Sequence, residues 1–88
     1  MALKGSKKKQ FEIVQDEFTF EIVQELGVLK TNPETQWTTE VNVVAWNGRE
    51  PKIDIRSWDP NHKKMSKGIT LTEDEALKVC EFIKSAID

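Results

Sequence analysis

The stretch from Trp37 to Trp58 constrains this chain more than any other. Residues 37–46 are rich in Thr, Val and Trp, Lys52–Trp58 alternates in polarity, and Asn47-Gly48 between them is a strong hairpin signal. Hairpin register decides which side chains share a face. A two-residue loop sets Trp46 opposite Arg49. Ile53 and Ile55 then fall with Asn42 and Glu40, while Val41 and Val43 fall with Lys52, Asp54 and Arg56, so neither face can be a core. A three-residue loop, Asn47-Gly48-Arg49, sets Trp46 opposite Glu50. One face is then wholly apolar (Val41, Val43, Ala45, Ile53, Ile55), and the other carries Asn42, Val44, Trp46, Lys52, Asp54, Arg56 and Trp58. Only the second register separates the two kinds of residue. It predicts an apolar core face and a solvated face on which tryptophans and cations alternate.

The rest of the chain builds around this hairpin. Phe-Glu-Ile-Val-Gln occurs at residues 11–15 and again at 20–24, both times alternating like a strand. Two copies are too few for a repeat architecture, and either could occupy the first strand's place. The second continues as Glu-Leu-Gly-Val-Leu, where Gly27 suggests a bulge. Residues 31–36, with Asn32-Pro33, read as a turn, residues 59–64 as a loop, and residues 68–71 as a short fourth strand. Thr72-Glu-Asp-Glu75 is a capping box opening a helix that runs to about residue 86. Ala76, Val79, Cys80, Ile83 and Ile87 form its apolar face, with Cys80 read as core. Leu77 and Phe82 on the flanks could meet a second subunit. The fold class is therefore α+β: a four-stranded antiparallel sheet followed by one C-terminal helix. Residues 1–17 read as a flexible basic tail with a possible extra strand segment, and residues 18–88 as the binding domain.

Eighty-eight residues make one domain whose own core is marginal, which a partner subunit would remedy. The longest apolar runs are too short to span a membrane, and no apolar region follows the N-terminal lysines as in a secretory signal. A single cysteine, Cys80, forms no internal disulfide and fits a cytoplasmic location. Cys80 and His62 alone cannot make a zinc site, and no cofactor is implied. No nucleophile–base set, carboxylate pair in a pocket or phosphate-binding loop can be assembled, so the chain reads as no enzyme and takes no small-molecule substrate.

The net charge is −2, but its distribution matters more. Four lysines lie within residues 1–10. Residues 46–67 hold Arg49, Lys52, Arg56, Lys63, Lys64 and Lys67 against Glu50, Asp54 and Asp59, while the remainder is acidic. Aromatics interleaved with cations suit single strands: bases stack on the rings, at about 1–3 kcal/mol each, and cations neutralise phosphates. The bland readings stand beside this one. The tryptophans could be core, Arg56 could form a cross-strand ion pair with Glu40, the loop lysines could be a solvated run, and His62 could be plain surface.

Asp54-Ile-Arg-Ser-Trp58, Met65-Ser-Lys-Gly-Ile-Thr-Leu71 and the capped helix resemble the transcriptional positive cofactor four family. Phe20-Glu-Ile-Val-Gln-Glu-Leu-Gly-Val-Leu29 and Asn42-Val-Val-Ala-Trp-Asn-Gly-Arg-Glu-Pro-Lys52 are similar to its small bacterial members. The resemblance covers about residues 18–88. It implies a curved four-stranded sheet plus one helix, a homodimer, and sequence-tolerant binding of single-stranded DNA, or of RNA, in support of transcription, replication or repair. By position it implies Trp46 and Trp58 as stacking aromatics and Arg56, Arg49 and Lys67 as backbone contacts. Lys52 and Lys64 join them from the basic stretch. A different class of function, a protein-interaction module using the aromatic face and the wide apolar helix, is separated from this one by salt, which weakens phosphate contacts and spares apolar ones.

Overall fold

The computed structural model describes residues 18–88, and the basic N-terminal segment with the first Phe-Glu-Ile-Val-Gln copy lies outside them. Among the described residues four strands, β1 (Phe20–Thr31), β2 (Thr38–Trp46), β3 (Lys52–Trp58) and β4 (Ile69–Leu71), precede one helix, α1 (Glu73–Ile87). They pair antiparallel in the order β1-β2-β3-β4. This is the α+β arrangement anticipated above. Among the described residues it is the second copy of the repeated pentapeptide that enters the sheet.

The β2–β3 register is the one chosen for its clean faces: Val41 pairs with Ile55, Asn42 with Asp54, and Val43 with Ile53. It arises by a different device from a three-residue loop. Asn47 (φ 53°) and Gly48 (φ 74°) both adopt the left-handed conformation, and the Arg49 N–H donates to the Trp46 carbonyl at 2.9 Å. That closes a two-residue turn of the primed type. The extra residue enters afterwards, around Glu50-Pro51, where proline has no N–H for the ladder. Asn47 also fastens β1 to the turn. Its N–H donates to the Thr19 carbonyl, and its Oδ1 accepts from the Thr19 N–H.

Strand β1 slips against β2 three times, between Ile22 and Gln24, Glu25 and Gly27, and Val28 and Lys30. Each slip leaves one apolar residue unpaired: Val23, Leu26 and Leu29. Repeated bulges sharpen the right-handed twist of a strand, and this edge winds the sheet into a deep curve. Gly27 flanks the second slip, as its position suggested.

Curvature reverses the expected roles of the two faces. The wholly apolar face is convex, and Val41, Val43, Ile53 and Ile55 stay half-buried. The face predicted to be solvated is concave and forms the interior. Val44 and Trp58 are 0% exposed, Asn42 and Asp54 1%, and Glu40 5%. Closure by curvature, and not apolarity alone, decides what is inside.

The Thr72 hydroxyl accepts from the Glu75 N–H, and the Glu75 carboxylate accepts from the Thr72 N–H, completing the predicted capping box. The helix buries none of its residues. Cys80 is exposed, contrary to its reading as core, as are Leu77, Phe82, Ile83 and Ile87. No helix among the described residues is long and apolar enough to cross a membrane.

Candidate nucleic-acid interface

The curved hairpin gathers aromatic rings from distant rungs. Trp46 and Trp58 stack with centroids 6.4 Å apart and planes within 7°. Phe20 lies 5.1 Å from Trp58 and 5.9 Å from Trp46, and Phe18 lies 5.5 Å from Trp46. Trp58 is fully enclosed, Trp46 is half-buried, and Phe18 stands largely open. The ring surface that meets solvent therefore belongs to Phe18 and Trp46, and Trp58 backs it. Phe18 and Phe20 did not figure in the sequence reading of the site. Their signal is the period-2 Phe18-Thr19-Phe20, which places both rings on the concave side at the mouth of β1.

Arg56 stands over Trp46, its guanidinium carbon 4.5 Å from the ring centroid, in cation–π geometry. It does not pair with Glu40 across the strands. It clasps Asp54 on its own strand through Nε (2.6 Å) and Nη2 (2.8 Å), and Nη1 donates to the Ser66 carbonyl at 3.3 Å. Asp54 also accepts from the Thr70 hydroxyl at 2.9 Å, which links β4 to the cluster. A bidentate, largely enclosed pair of this kind is expensive to break, so Arg56 is an organiser of the concave face. Asp54 takes two of the five guanidinium N–H groups, which leaves hydrogens on Nη1 and Nη2 for other acceptors.

Glu40 is also not on a solvated face. Its carboxylate accepts from the Asn42 amide (3.0 Å), from the Thr38 hydroxyl, and from His62 Nε2 on both oxygens (3.1 and 2.9 Å). Burial pushes its pKa up. The hydrogen bonds from Asn42, Thr38 and His62, with the His62 charge, outweigh that and hold it below the ordinary carboxylate value. His62 is thus no plain surface residue: its ring packs 5.6 Å from Trp58, and its backbone is left-handed, at φ 55°. The Asp59 carboxylate shapes the loop that carries it, accepting from the Lys63 and Lys64 N–H groups at 2.7 and 2.9 Å. The bond from the Lys64 N–H, opposed by desolvation and helped by that from the Lys63 N–H, keeps Asp59 below its usual pKa.

The other cations of the basic stretch are exposed. Arg49 sits on the β2–β3 turn, Lys52 at the start of β3, and Lys64 and Lys67 on the segment whose Met65 and Ser66 touch Arg56. Gly68 lets that segment close on β3, since a Cβ there would collide with the Arg56 Cβ and the Ile55 carbonyl. Trp37 lies apart. It lines a separate cleft of about 620 Å³ with Lys30, Thr39 and Ser57, away from the stacked pair.

The arrangement defines a small α+β class of domain: a curved antiparallel sheet followed by one capped helix, with an aromatic–cation cluster on its concave side. The model of the family described as transcriptional coactivator p15 (PC4) matches residues 34–82. An uncharacterized protein of Treponema pallidum (strain Nichols) is 37% identical over 79 residues, covering 90% of this chain and 92% of that protein. The chain belongs to the PC4 family.

Proposed function

We propose that this protein binds single-stranded DNA, with little sequence preference along most of the strand, as a homodimer that serves transcription, replication or repair. The observation that carries the reading is the Trp46–Trp58 stack, capped by Arg56 and opened to solvent through Phe18. Bases stack on the Phe18–Trp46 rim, which duplex DNA could not reach with its paired bases. Arg49, Lys52, Lys64 and Lys67 meet the phosphates around it, which offsets the acidic net charge locally.

The dimer follows from what one chain leaves uncovered. Leu77, Phe82, Ile83 and Ile87 on α1 are 53–77% exposed beside the half-buried convex sheet face. A patch of this character on a small domain calls for a partner surface, and a second copy supplies one of matching apolarity.

The test is a fluorescence titration with a dT oligonucleotide of about 20 nucleotides and with the matching duplex, at low and moderate salt. Quenching by the single strand, weak for the duplex and falling as salt rises, is the expected result. Replacing Lys64 by Ala should reduce the log–log salt slope by about 0.7. An absence of quenching at low salt would sink the reading and favour a protein partner for the aromatic rim.

A further inference from the structure

The concave face holds a cleft of about 350 Å³ beside the aromatic stack, lined by Glu25, Gly27, Val28, Glu40, Asn42 and His62. Its chemistry is one-sided. Glu40 is a carboxylate and accepts only. Asn42 gives its Nδ2 hydrogen to Glu40 at 3.0 Å, which fixes the orientation of the amide. Its Oδ1 is left as a buried acceptor without a hydrogen-bond partner, on a residue 1% exposed. Buried polar groups are nearly always paired, so an orphan of this kind asks for an explanation. Glu25 adds a second carboxylate to the lining. Phosphate is repelled here, and a group carrying N–H donors is favoured.

His62 already shows what such a group looks like. It is a flat aromatic ring, packed 5.6 Å from Trp58, whose Nε2 donates to both Glu40 oxygens. It enters from a loop, with its side chain one-third exposed. A base that took this seat would stack on Trp58 and meet the same carboxylate.

We infer that the Glu40–Asn42 pair reads the Watson–Crick edge of a single guanine, for which His62 stands in when no strand is bound. The inference rests on the single-strand reading above. Guanine presents two adjacent donors, N1–H and the N2 amine, to two adjacent acceptors, Glu40 and Asn42 Oδ1. Adenine and cytosine would turn a ring-nitrogen acceptor toward the carboxylate, and thymine would flank its single donor with two carbonyls. Neither arrangement satisfies both protein atoms. The cations of the same loop, Lys63 and Lys64, then stay outside with the phosphates.

The experiment compares three oligonucleotides of about 12 nucleotides on the full chain: dT alone, dT alternating with dG, and dT alternating with inosine, which lacks the N2 amine. The dG oligonucleotide should bind about tenfold more tightly than the other two, the discrimination of a bidentate base contact. In Asn42→Leu the dG-over-inosine preference should collapse toward one, because the acceptor for the N2 amine is gone. Equal affinity for all three oligonucleotides, or a preference that persists in a folded Asn42→Leu, overturns the inference while leaving single-strand binding intact. Should that variant not fold, the inosine comparison on the native chain decides alone. Binding of none of the three overturns the single-strand reading itself.

Discussion

Trp58 pairs on the β2–β3 ladder with Thr38, eight residues before Trp46, yet the Trp46 and Trp58 rings stack 6.4 Å apart. Along a flat strand those positions would be separated by about 26 Å. The hairpin therefore coils until its two ends meet over Val44, Asn42 and Asp54, and that contact creates both the interior and the aromatic rim.

Because Trp58 is 0% exposed and touches Phe20, Trp46 and His62, Trp58→Ala is expected to lose about 3–5 kcal/mol of stability. Trp46→Ala, at a half-exposed position, should keep the fold and weaken oligonucleotide binding. Urea unfolding and a binding titration on both variants check the contrast. Equal stability of the two would show that the stack does not close the interior.

Glu40 makes stability depend on pH. Its folded pKa lies below the ordinary value of 4.5, so its contribution is present above that value and is lost as pH falls through the folded pKa. Glu40→Gln should be less stable by about 1–3 kcal/mol at neutral pH, the scale of hydrogen bonds to a charged group. The gap between wild type and variant should narrow below about pH 4.5. Denaturant melts across the acid range measure it, and a gap that stays constant to about pH 3 would contradict the assignment.

Gly68 is needed for space, because any Cβ there meets the Arg56 Cβ and the backbone of Ile55. Gly68→Ala should cost about 1–3 kcal/mol through overpacking. It should also loosen the Lys64–Lys67 segment from Arg56, which amide hydrogen exchange at Ser66 and Ser57 would register, since the Ser66 N–H donates to the Ser57 carbonyl at 3.0 Å.

Phe82 is 69% exposed on the open side of α1. Phe82→Glu should leave the far-ultraviolet spectrum of the fold in place and shift the species seen by sedimentation equilibrium from dimer to monomer. An unchanged mass would mean that this helix face is not the subunit contact.

The element order, the β2–β3 register, the bulge at Gly27 and the Thr72–Glu75 cap were legible in the residues, whereas the two Phe-Glu-Ile-Val-Gln copies alternate alike and the pattern did not choose between them. Each depends on neighbours in sequence or on the two-residue period of a strand, and such signals are local. Trp46, Trp58 and Arg56 were also legible as a group, since one parity puts them on one face. Whether that face was open or closed was not legible. Three bulges in β1 and the coil of the hairpin turned it inward, and a polar face enclosed that way holds together by pairing: Arg56 with Asp54, and His62 with Glu40. The His62–Glu40 partnership joins residues 22 positions apart, beyond any local window, and the Arg56–Asp54 pair, though two residues apart, is enclosed only by the curve of the sheet. By itself the sequence determined which side chains stand together along each strand, because backbone alternation is set residue by residue. Only the tertiary structure decided which side is the interior, because curvature is a sum over the whole sheet and over the loop that closes on it.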